Sequence, residues 1–177
     1  MYERAARALG TVLARRGLGL VYGGGNVGLM GVVADAALAG GGEVIGVIPQ
    51  ALVDRELAHR GVTDLRIVHS MHERKALMAD LADGFIALPG GYGTWDEFCE
   101  VVTWSQLGFH QKACGLLNIA GYYDPFLAQI ERAEDAGFIR VPYRDLIVVD
   151  QLPEPLIEAM LQFRPSVMEK TLPGEER

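Results

Sequence analysis

The sequence predicts an α/β protein built on a doubly wound, mostly parallel sheet. Short apolar runs alternate along the chain with longer segments of helical periodicity, and this alternation is typical of a parallel sheet covered by helices. The chain has 177 residues, half of them hydrophobic, which is enough to bury one core. We therefore expect one domain over residues 1–163, followed by a loose polar tail over residues 164–177.

Two kinds of segment carry this alternation. The predicted helices are residues 2–16, 27–38, 71–81, 94–107, 124–136 and 153–163. The predicted strands are residues 18–22, 43–48, 65–69, 84–88, 113–118 and 145–149. The chain opens on a helix, whereas a doubly wound fold ordinarily opens on a strand that is central in the common strand order. We expect that first strand to be absent from this sequence.

The composition favours a small-molecule ligand over nucleic acid or a membrane. A net charge of -7 and an isoelectric point near 5.1 do not suit the concentrated basic face that nucleic-acid binding requires. No apolar run reaches the roughly 18 residues of a membrane span, and the amino end has no secretory pattern, so we expect a cytoplasmic protein. Cys99 and Cys114 each lie in an apolar run and are predicted to be buried, reduced thiols.

The strongest candidate for a ligand site is the glycine turn that joins the fourth predicted strand to a helix. Unpaired backbone N–H groups at a helix start attract anions. Gly90, Gly91 and Gly93 would let the backbone approach a ligand without obstruction by a Cβ atom. Phosphate is the natural candidate for this turn.

Glu97 stands close to the turn, and two interpretations of it remain open. Thr94 and Glu97 have the spacing of a capping box, which would make the glutamate a helix cap. Alternatively, Glu97 acts on the ligand. It shares a face with Val101 and Trp104, and its helix is apolar on more than one side. A helix of that kind is covered twice, by the sheet and by a second subunit.

An earlier glycine cluster follows the first predicted strand and is a weaker signal. Gly23, Gly25 and Gly28 match the G-x-G-x-x-G pattern of dinucleotide sites. The next strand, however, lacks the terminal acid that would hold a ribose hydroxyl, so NAD is not expected. A tight turn with close helix-to-sheet packing is the alternative to a second ligand-lined helix start.

Arg74 is the second candidate for chemistry. It follows i, i+3, i+4, i+7 spacing with Leu77, Met78 and Leu81, so its stem is predicted to share the apolar face of its helix. An inward arginine is expected to meet a carboxylate or an anionic ligand, with a structural ion pair or a snorkelling stem as the alternative. The histidines form no metal-ligand pattern and no nucleophile motif occurs, so no metal and no cofactor is expected.

These residues resemble the hallmarks of the LONELY GUY (LOG) family, the cytokinin riboside 5′-monophosphate phosphoribohydrolases long mislabelled as lysine decarboxylases. The resemblance extends from Tyr2 to Leu161. The motifs that carry it are residues 23–31, residues 71–75, residues 89–94 with Glu97, and residues 104–108 with His110. The agreement of these four motifs in order and spacing is more than chance would produce.

The resemblance implies a Rossmann-like fold and a homodimer with its active site near the subunit interface. It also implies hydrolysis of the N-glycosidic bond of a nucleoside 5′-monophosphate, with AMP among the candidate substrates, to free base and ribose 5-phosphate. Arg74 and Glu97 match the family's catalytic pair. The residues that match its phosphate-binding loop or are plausible additions to it are Gly24, Gly25, Lys75, Gly90, Gly91, Gly93 and Thr94.

The sequence departs from the family pattern at two places. The family normally begins with a strand that ends in a Gly-Ser-Ser-like turn at the nucleotide pocket, and this strand is the one expected to be absent. Ala113 stands where the family usually has proline. A carrier on the same fold, resembling the molybdenum cofactor carrier proteins, is one alternative function, and a nucleosidase of broad nucleotide specificity is another. The presence of both Arg74 and Glu97 favours an enzyme.

Overall fold

The structure is a computed structural model that describes residues 1–55 and 57–165. Its helices are α1 (Tyr2–Arg15), α2 (Gly28–Ala39), α3 (Gln50–Val53), α4 (Met71–Leu81), α5 (Tyr92–Gln106), α6 (Asp124–Asp135) and α7 (Pro153–Gln162). Its strands are β1 (Leu20–Tyr22), β2 (Val44–Pro49), β3 (Asp64–Val68), β4 (Gly84–Ala87), β5 (Ala113–Leu117) and β6 (Ile147–Asp150). Short 3₁₀ helices cover Ile119–Gly121 and Val141–Leu146.

Each predicted helix and strand is present, and its ends lie within two residues of the predicted ones. The sequence prediction lacks α3 and the 3₁₀ helices, because a single turn is too short to show a period. Residues 145 and 146 were expected to open the last strand but belong to the second 3₁₀ helix. The predicted tail lies, from residue 166 onward, outside the described residues.

Every pair of neighbouring strands is parallel, but the strands hydrogen-bond as two halves. One sheet has the order β1-β2-β3 and the other the order β4-β5-β6. Within the described residues no hydrogen-bonded pairing joins β1 to β4. The α/β class with parallel strands is thus confirmed, whereas a single continuous sheet is not observed.

Helices cover both faces of the strands. The Tyr22 side chain packs against α2 at Ala34 and Ala37. The next residue, Gly23, instead lies against Arg74 of α4. Successive residues of an extended chain point to opposite faces, so α2 and α4 cover opposite sides of the sheet.

One hydrophobic cluster joins the two halves. Its buried members come from α1, α2, α7, the end of β5 and the 3₁₀ helix that follows β5, and Leu20 of β1 and Ile86 of β4 pack against it. The helices α1 and α2 approach closely, since a Cβ atom at Gly10 would lie 2.4 Å from the carbonyl oxygen of Val33. Leu156 of α7 is fully buried, and such a leucine side chain contributes about 2 kcal/mol by burial.

The cysteines and the helix lengths bear on two further predictions. Cys114 is buried in β5, as predicted, but Cys99 is exposed on α5, and that prediction is wrong. Phe98 takes the core-facing position of α5, and one residue further along a helix lies about 100° around its axis. In the part of the chain that the structure describes, no helix is long and apolar enough to span a membrane.

Candidate active site

The start of α4 places Arg74 beside the ends of the strands. Ser70 is the N-cap residue, and its Oγ accepts a hydrogen bond of 3.1 Å from the Glu73 N–H. In return, the Glu73 carboxylate accepts a hydrogen bond of 2.8 Å from the His69 N–H. The first bond satisfies a donor that the first turn of a helix leaves unpaired, and the second ties the helix to the residue before its N-cap. They fix the direction of α4 and bring Arg74 one turn into the helix.

Arg74 is buried and pairs with Glu97 of α5. Its Nη2 lies 3.2 Å from Oε1 of Glu97, and only 9% of the residue is exposed. The prediction of an inward arginine with a carboxylate partner is confirmed. The guanidinium lies on Gly23, where a Cβ atom would be 2.0 Å from Nη2. Within the described residues, the buried Nε has no hydrogen-bond partner.

The environment of Glu97 perturbs its carboxyl group in opposing directions. Burial raises the pKa of Glu97, and the positive charge of Arg74 opposes that rise. Asp96 raises this pKa further, Lys75 lowers it, and Glu100 raises it. Burial is the largest of these effects, so the pKa lies above its ordinary value. A carboxyl group in such a setting is suited to exchange a proton with a bound ligand.

The interpretation of Glu97 as a capping-box residue is wrong. The helix α5 begins at Tyr92 with Gly91 as its N-cap residue, and no side chain caps it. Thr94 therefore lies inside the first turn, and Glu97 lies one turn too far along to reach the cap. This leaves the Glu97 carboxylate to pair with Arg74.

The turn before α5 is tightly packed on one side and open on the other. A Cβ atom at Gly90 would lie 2.2 Å from Oγ1 of Thr94, so this position requires glycine. At Gly91 and Gly93, a Cβ atom would have no neighbour within 4 Å among the described residues. The first N–H groups of the helix have no partner within it. The open side of the turn is therefore suited to an anion.

Lys75, a plausible addition to the phosphate site, takes part in ion pairs, and phosphate binding by it stays a prediction. Its Nζ lies 3.2 Å from Oδ2 of Asp96 and 3.1 Å from Oε2 of Glu100, and its side chain is largely buried. Lys75 therefore links α4 to α5 beside the Arg74–Glu97 pair. No local sequence pattern indicates this link, because it joins residues more than twenty positions apart.

The first glycine turn, which includes Gly24 and Gly25, is closed by the chain itself. Gly24 is buried with φ +71°, and its carbonyl oxygen accepts a hydrogen bond of 2.8 Å from the His59 N–H. Gly25 forms an isolated antiparallel bridge with Ala58. These contacts favour the tight-turn interpretation, and ligand binding by Gly24 and Gly25 stays a prediction.

Sequence reasoning missed two tyrosines that hold the second turn. The Tyr122 hydroxyl donates a hydrogen bond of 2.5 Å to the carbonyl oxygen of Gly90. The Tyr123 hydroxyl donates one of the same length to the carbonyl oxygen of Leu88. Both tyrosines adjoin the 3₁₀ helix after β5, and nothing in the sequence indicates that they meet a turn more than thirty residues away.

The fold and the site together define a class of protein. It is a Rossmann-like α/β protein with an open helix start suited to an anion and a guanidinium–carboxylate pair beside it. A protein-family model described as "Possible lysine decarboxylase" matches residues 30–160.

Two similar proteins identify the family. The chain is 50% identical over 165 residues to a probable cytokinin riboside 5′-monophosphate phosphoribohydrolase of Oryza sativa subsp. japonica, a match covering 93% of this chain and 68% of that protein. It is 54% identical over 149 residues to the cytokinin riboside 5′-monophosphate phosphoribohydrolase of Rhodococcoides fascians, covering 84% and 75% respectively. The chain belongs to the LOG family.

A solved structure supports the fold. The molybdenum cofactor binding protein from the phototrophic bacterium Rippkaea orientalis superimposes with a TM-score of 0.70 at 22% identity, over 91% of this chain and 86% of that chain. At this identity the similarity concerns the fold alone.

Proposed function

We propose that this protein hydrolyses the N-glycosidic bond of nucleoside 5′-monophosphates, releasing the free base and ribose 5-phosphate. The observation that carries the proposal is the Arg74–Glu97 pair beside the open start of α5. Relatives that are 50% and 54% identical in sequence are named for this activity on cytokinin riboside 5′-monophosphates. Cytokinin ribotides are therefore the first substrates to test, followed by AMP.

The proposed reaction replaces the base on C1′ of the ribose by a water molecule. The bond from C1′ to the base nitrogen breaks, its electron pair leaves with the base, and the base gains a proton as the attacking water loses one. Positive charge builds on the ribose, and negative charge builds on the base. Glu97 could stabilise the ribose cation or orient the water, and Arg74 could hold the ribose and phosphate or assist the leaving base.

The phosphate would bind where α5 begins. We propose that Gly90, Gly91, Gly93 and Thr94 form this subsite, because the open side of their turn meets the positive end of the helix. Binding energy from the phosphate is remote from the reacting bond and can position the sugar over Glu97. Nucleosides that lack the phosphate should therefore be poor substrates.

Base release from purified protein tests the proposal. We expect isopentenyladenosine monophosphate or AMP to yield free base, and the unphosphorylated nucleosides to yield much less. Glu97→Gln should lower turnover by about 10²–10⁴-fold, the usual contribution of a positioned proton-transfer group. Glu3→Gln, the same change at an exposed residue of α1, is the matched control. Tight binding of a monophosphate without turnover would instead indicate a carrier.

We also propose that two copies of the chain pair through α5. Exposed apolar side chains follow this helix and the turn after it, at Tyr92, Trp95, Leu107 and Phe109. A second copy covering them would lie next to the proposed site. Light scattering coupled to size-exclusion chromatography should give the mass of a dimer.

Variants of exposed aromatic residues locate that interface. Trp95→Glu should give a monomer, because it buries a charge in the proposed contact. Phe138→Glu changes an aromatic side chain that is 85% exposed and lies outside α5, so it should leave the dimer intact. A monomeric parent protein at micromolar concentration would refute the pairing.

A further inference from the structure

Two neighbouring tyrosines hold two carbonyl groups of the same turn. The Tyr122 hydroxyl binds the Gly90 carbonyl, and the Tyr123 hydroxyl binds the Leu88 carbonyl. The tyrosines are themselves fixed, since the Tyr123 N–H donates a hydrogen bond of 2.7 Å to the Asn118 side chain. The Tyr122 ring also packs edge-on against Tyr123, with 5.0 Å between ring centroids.

The bond to Gly90 sets the direction of the peptide group between Gly90 and Gly91. The described residues contain no cis peptide, and in a planar trans peptide the C=O and the N–H point in opposite directions. When Tyr122 holds the Gly90 carbonyl on one side, the Gly91 N–H must point to the other. In the part of the chain that the structure describes, that N–H makes no hydrogen bond to a backbone acceptor.

Without this bond the peptide would have little reason to keep its direction. Both of its residues are glycine, and glycine accepts either sign of φ at low cost. A flip would present the Gly90 carbonyl oxygen to the open side, where it would repel an anion. The hydroxyl of Tyr122 therefore opposes an arrangement that the sequence of the turn otherwise permits.

We propose that Tyr122 is a positioning residue that orients the Gly90–Gly91 peptide so that the Gly91 N–H binds the phosphate of the substrate. The inference rests on the proposed function of the turn as a phosphate subsite. Tyr122 does not touch the ligand in this arrangement and acts through the backbone.

The neighbouring tyrosine supplies a matched control. Tyr123 holds the Leu88 carbonyl, which belongs to the peptide bond before Pro89. Proline has no N–H, so fixing this carbonyl orients no donor. Tyr122→Phe and Tyr123→Phe each remove one hydroxyl that binds the glycine turn. Only the first of these variants frees a peptide group that carries an N–H donor.

Binding of ribose 5-phosphate to the full chain tests the inference by calorimetry. We expect Tyr122→Phe to raise its Kd on the order of fivefold to tenfold, because one hydrogen bond is worth about 1 kcal/mol and charged partners raise that figure. Its KM for the monophosphate should rise with kcat unchanged, the pattern of lost uniform binding. Tyr123→Phe should leave Kd within about twofold while lowering Tm, because its hydroxyl bond supports folding only.

A second measurement needs no variant. On titration of the parent protein with ribose 5-phosphate, the amide proton resonance of Gly91 should move downfield. An unchanged Kd in folded Tyr122→Phe, an equal rise in both variants, or no movement of the Gly91 resonance would overturn the inference.

The outcomes separate this inference from the proposed function. A parent protein that binds ribose 5-phosphate with the expected variant pattern but releases no base refutes the hydrolase and supports the role of Tyr122. A parent protein that releases base, with an unchanged Kd for ribose 5-phosphate in Tyr122→Phe, supports the hydrolase and refutes the role of Tyr122. If the parent protein does not bind ribose 5-phosphate, the role of Tyr122 is refuted as well.

Discussion

The two glycine turns of this protein look alike in sequence and differ in what lies against them. Each follows a strand and leads into a helix, the first after β1 and the second after β4. In the first turn, the guanidinium of Arg74 lies on Gly23, and the His59 N–H binds Gly24. In the second turn, the space beside Gly91 is open. The protein's own groups fill the first turn at Gly23 and Gly24, although Gly28 is open, whereas the second turn is open at Gly91 and Gly93.

This difference separates two physical reasons for glycine at a strand-to-helix turn. A glycine that permits close packing has a neighbour where its Cβ atom would be, and a glycine that admits a ligand has open space there. Both reasons produce the same sequence pattern. Substitution by alanine distinguishes them, because the added methyl group meets protein in one case and the ligand in the other.

The largest expected effect is that of Gly23→Ala on catalysis. The methyl group would lie 2.0 Å from Nη2 of Arg74, so the guanidinium must move and its pairing with Glu97 is disturbed. We expect kcat to fall by about 100-fold, the cost of a misplacement near 1 Å in an active site. Calorimetry with ribose 5-phosphate then separates the two proposed roles of Arg74: an unchanged Kd indicates that it assists the leaving base, and a raised Kd indicates that it holds the ribose and phosphate. An unchanged kcat in a folded Gly23→Ala variant would mean that catalysis does not depend on the position of the Arg74 guanidinium.

Stability distinguishes the glycines of the second turn from one another. The methyl group of Gly90→Ala would lie 2.2 Å from Oγ1 and 2.9 Å from Cβ of Thr94, so this variant should lose about 1–3 kcal/mol of unfolding free energy. Gly93→Ala adds a methyl group to open space in the first turn of α5 and should gain up to about 1 kcal/mol. Urea unfolding measures both. Equal effects would remove the distinction.

The pH dependence of turnover tests the charged groups around Glu97, which follows the second turn and pairs with the Arg74 guanidinium that lies on the first. Burial raises the pKa of Glu97, and the groups that face it are Arg74, Lys75, Asp96 and Glu100. Asp96→Asn removes a charge that raises this pKa, so the acid limb of kcat/KM should move to lower pH. Lys75→Met removes a charge that lowers it, so the limb should move to higher pH. Shifts in the same direction would show that Glu97 does not govern the limb.

The sequence was sufficient to predict the elements but not the contacts between them. Apolar periodicity located each long helix and strand, because burial on one face imposes that period. It failed at Cys99, where the apolar neighbours belong to different faces of one helix. The capping-box prediction for Glu97 failed because Gly91, three residues before Thr94, already caps α5.

The remaining features depend on contacts between distant segments. Lys75 meets its carboxylates across two helices, and Tyr122 meets its carbonyl across thirty-two positions. Neither contact has a local signature, because spacing predicts only which residues share a face of one element. The inward direction of Arg74 was predictable for that same reason, since it depends on the period of α4 alone.

The smallest expected effect, that of Gly25→Ala, is the most direct test of the comparison. A Cβ atom there would lie 3.2 Å from the terminal methyl group of Met30, a flexible side chain that can yield. If packing alone accounts for the glycines of the first turn, Gly25→Ala should change the unfolding free energy by at most about 0.5 kcal/mol, as is usual where no specific contact is lost. The Kd for ribose 5-phosphate should likewise stay the same. A weaker affinity in Gly25→Ala with unchanged stability would mean that the first turn also binds the ligand. Gly25 would then have the ligand-binding role that the resemblance to the LOG family implies.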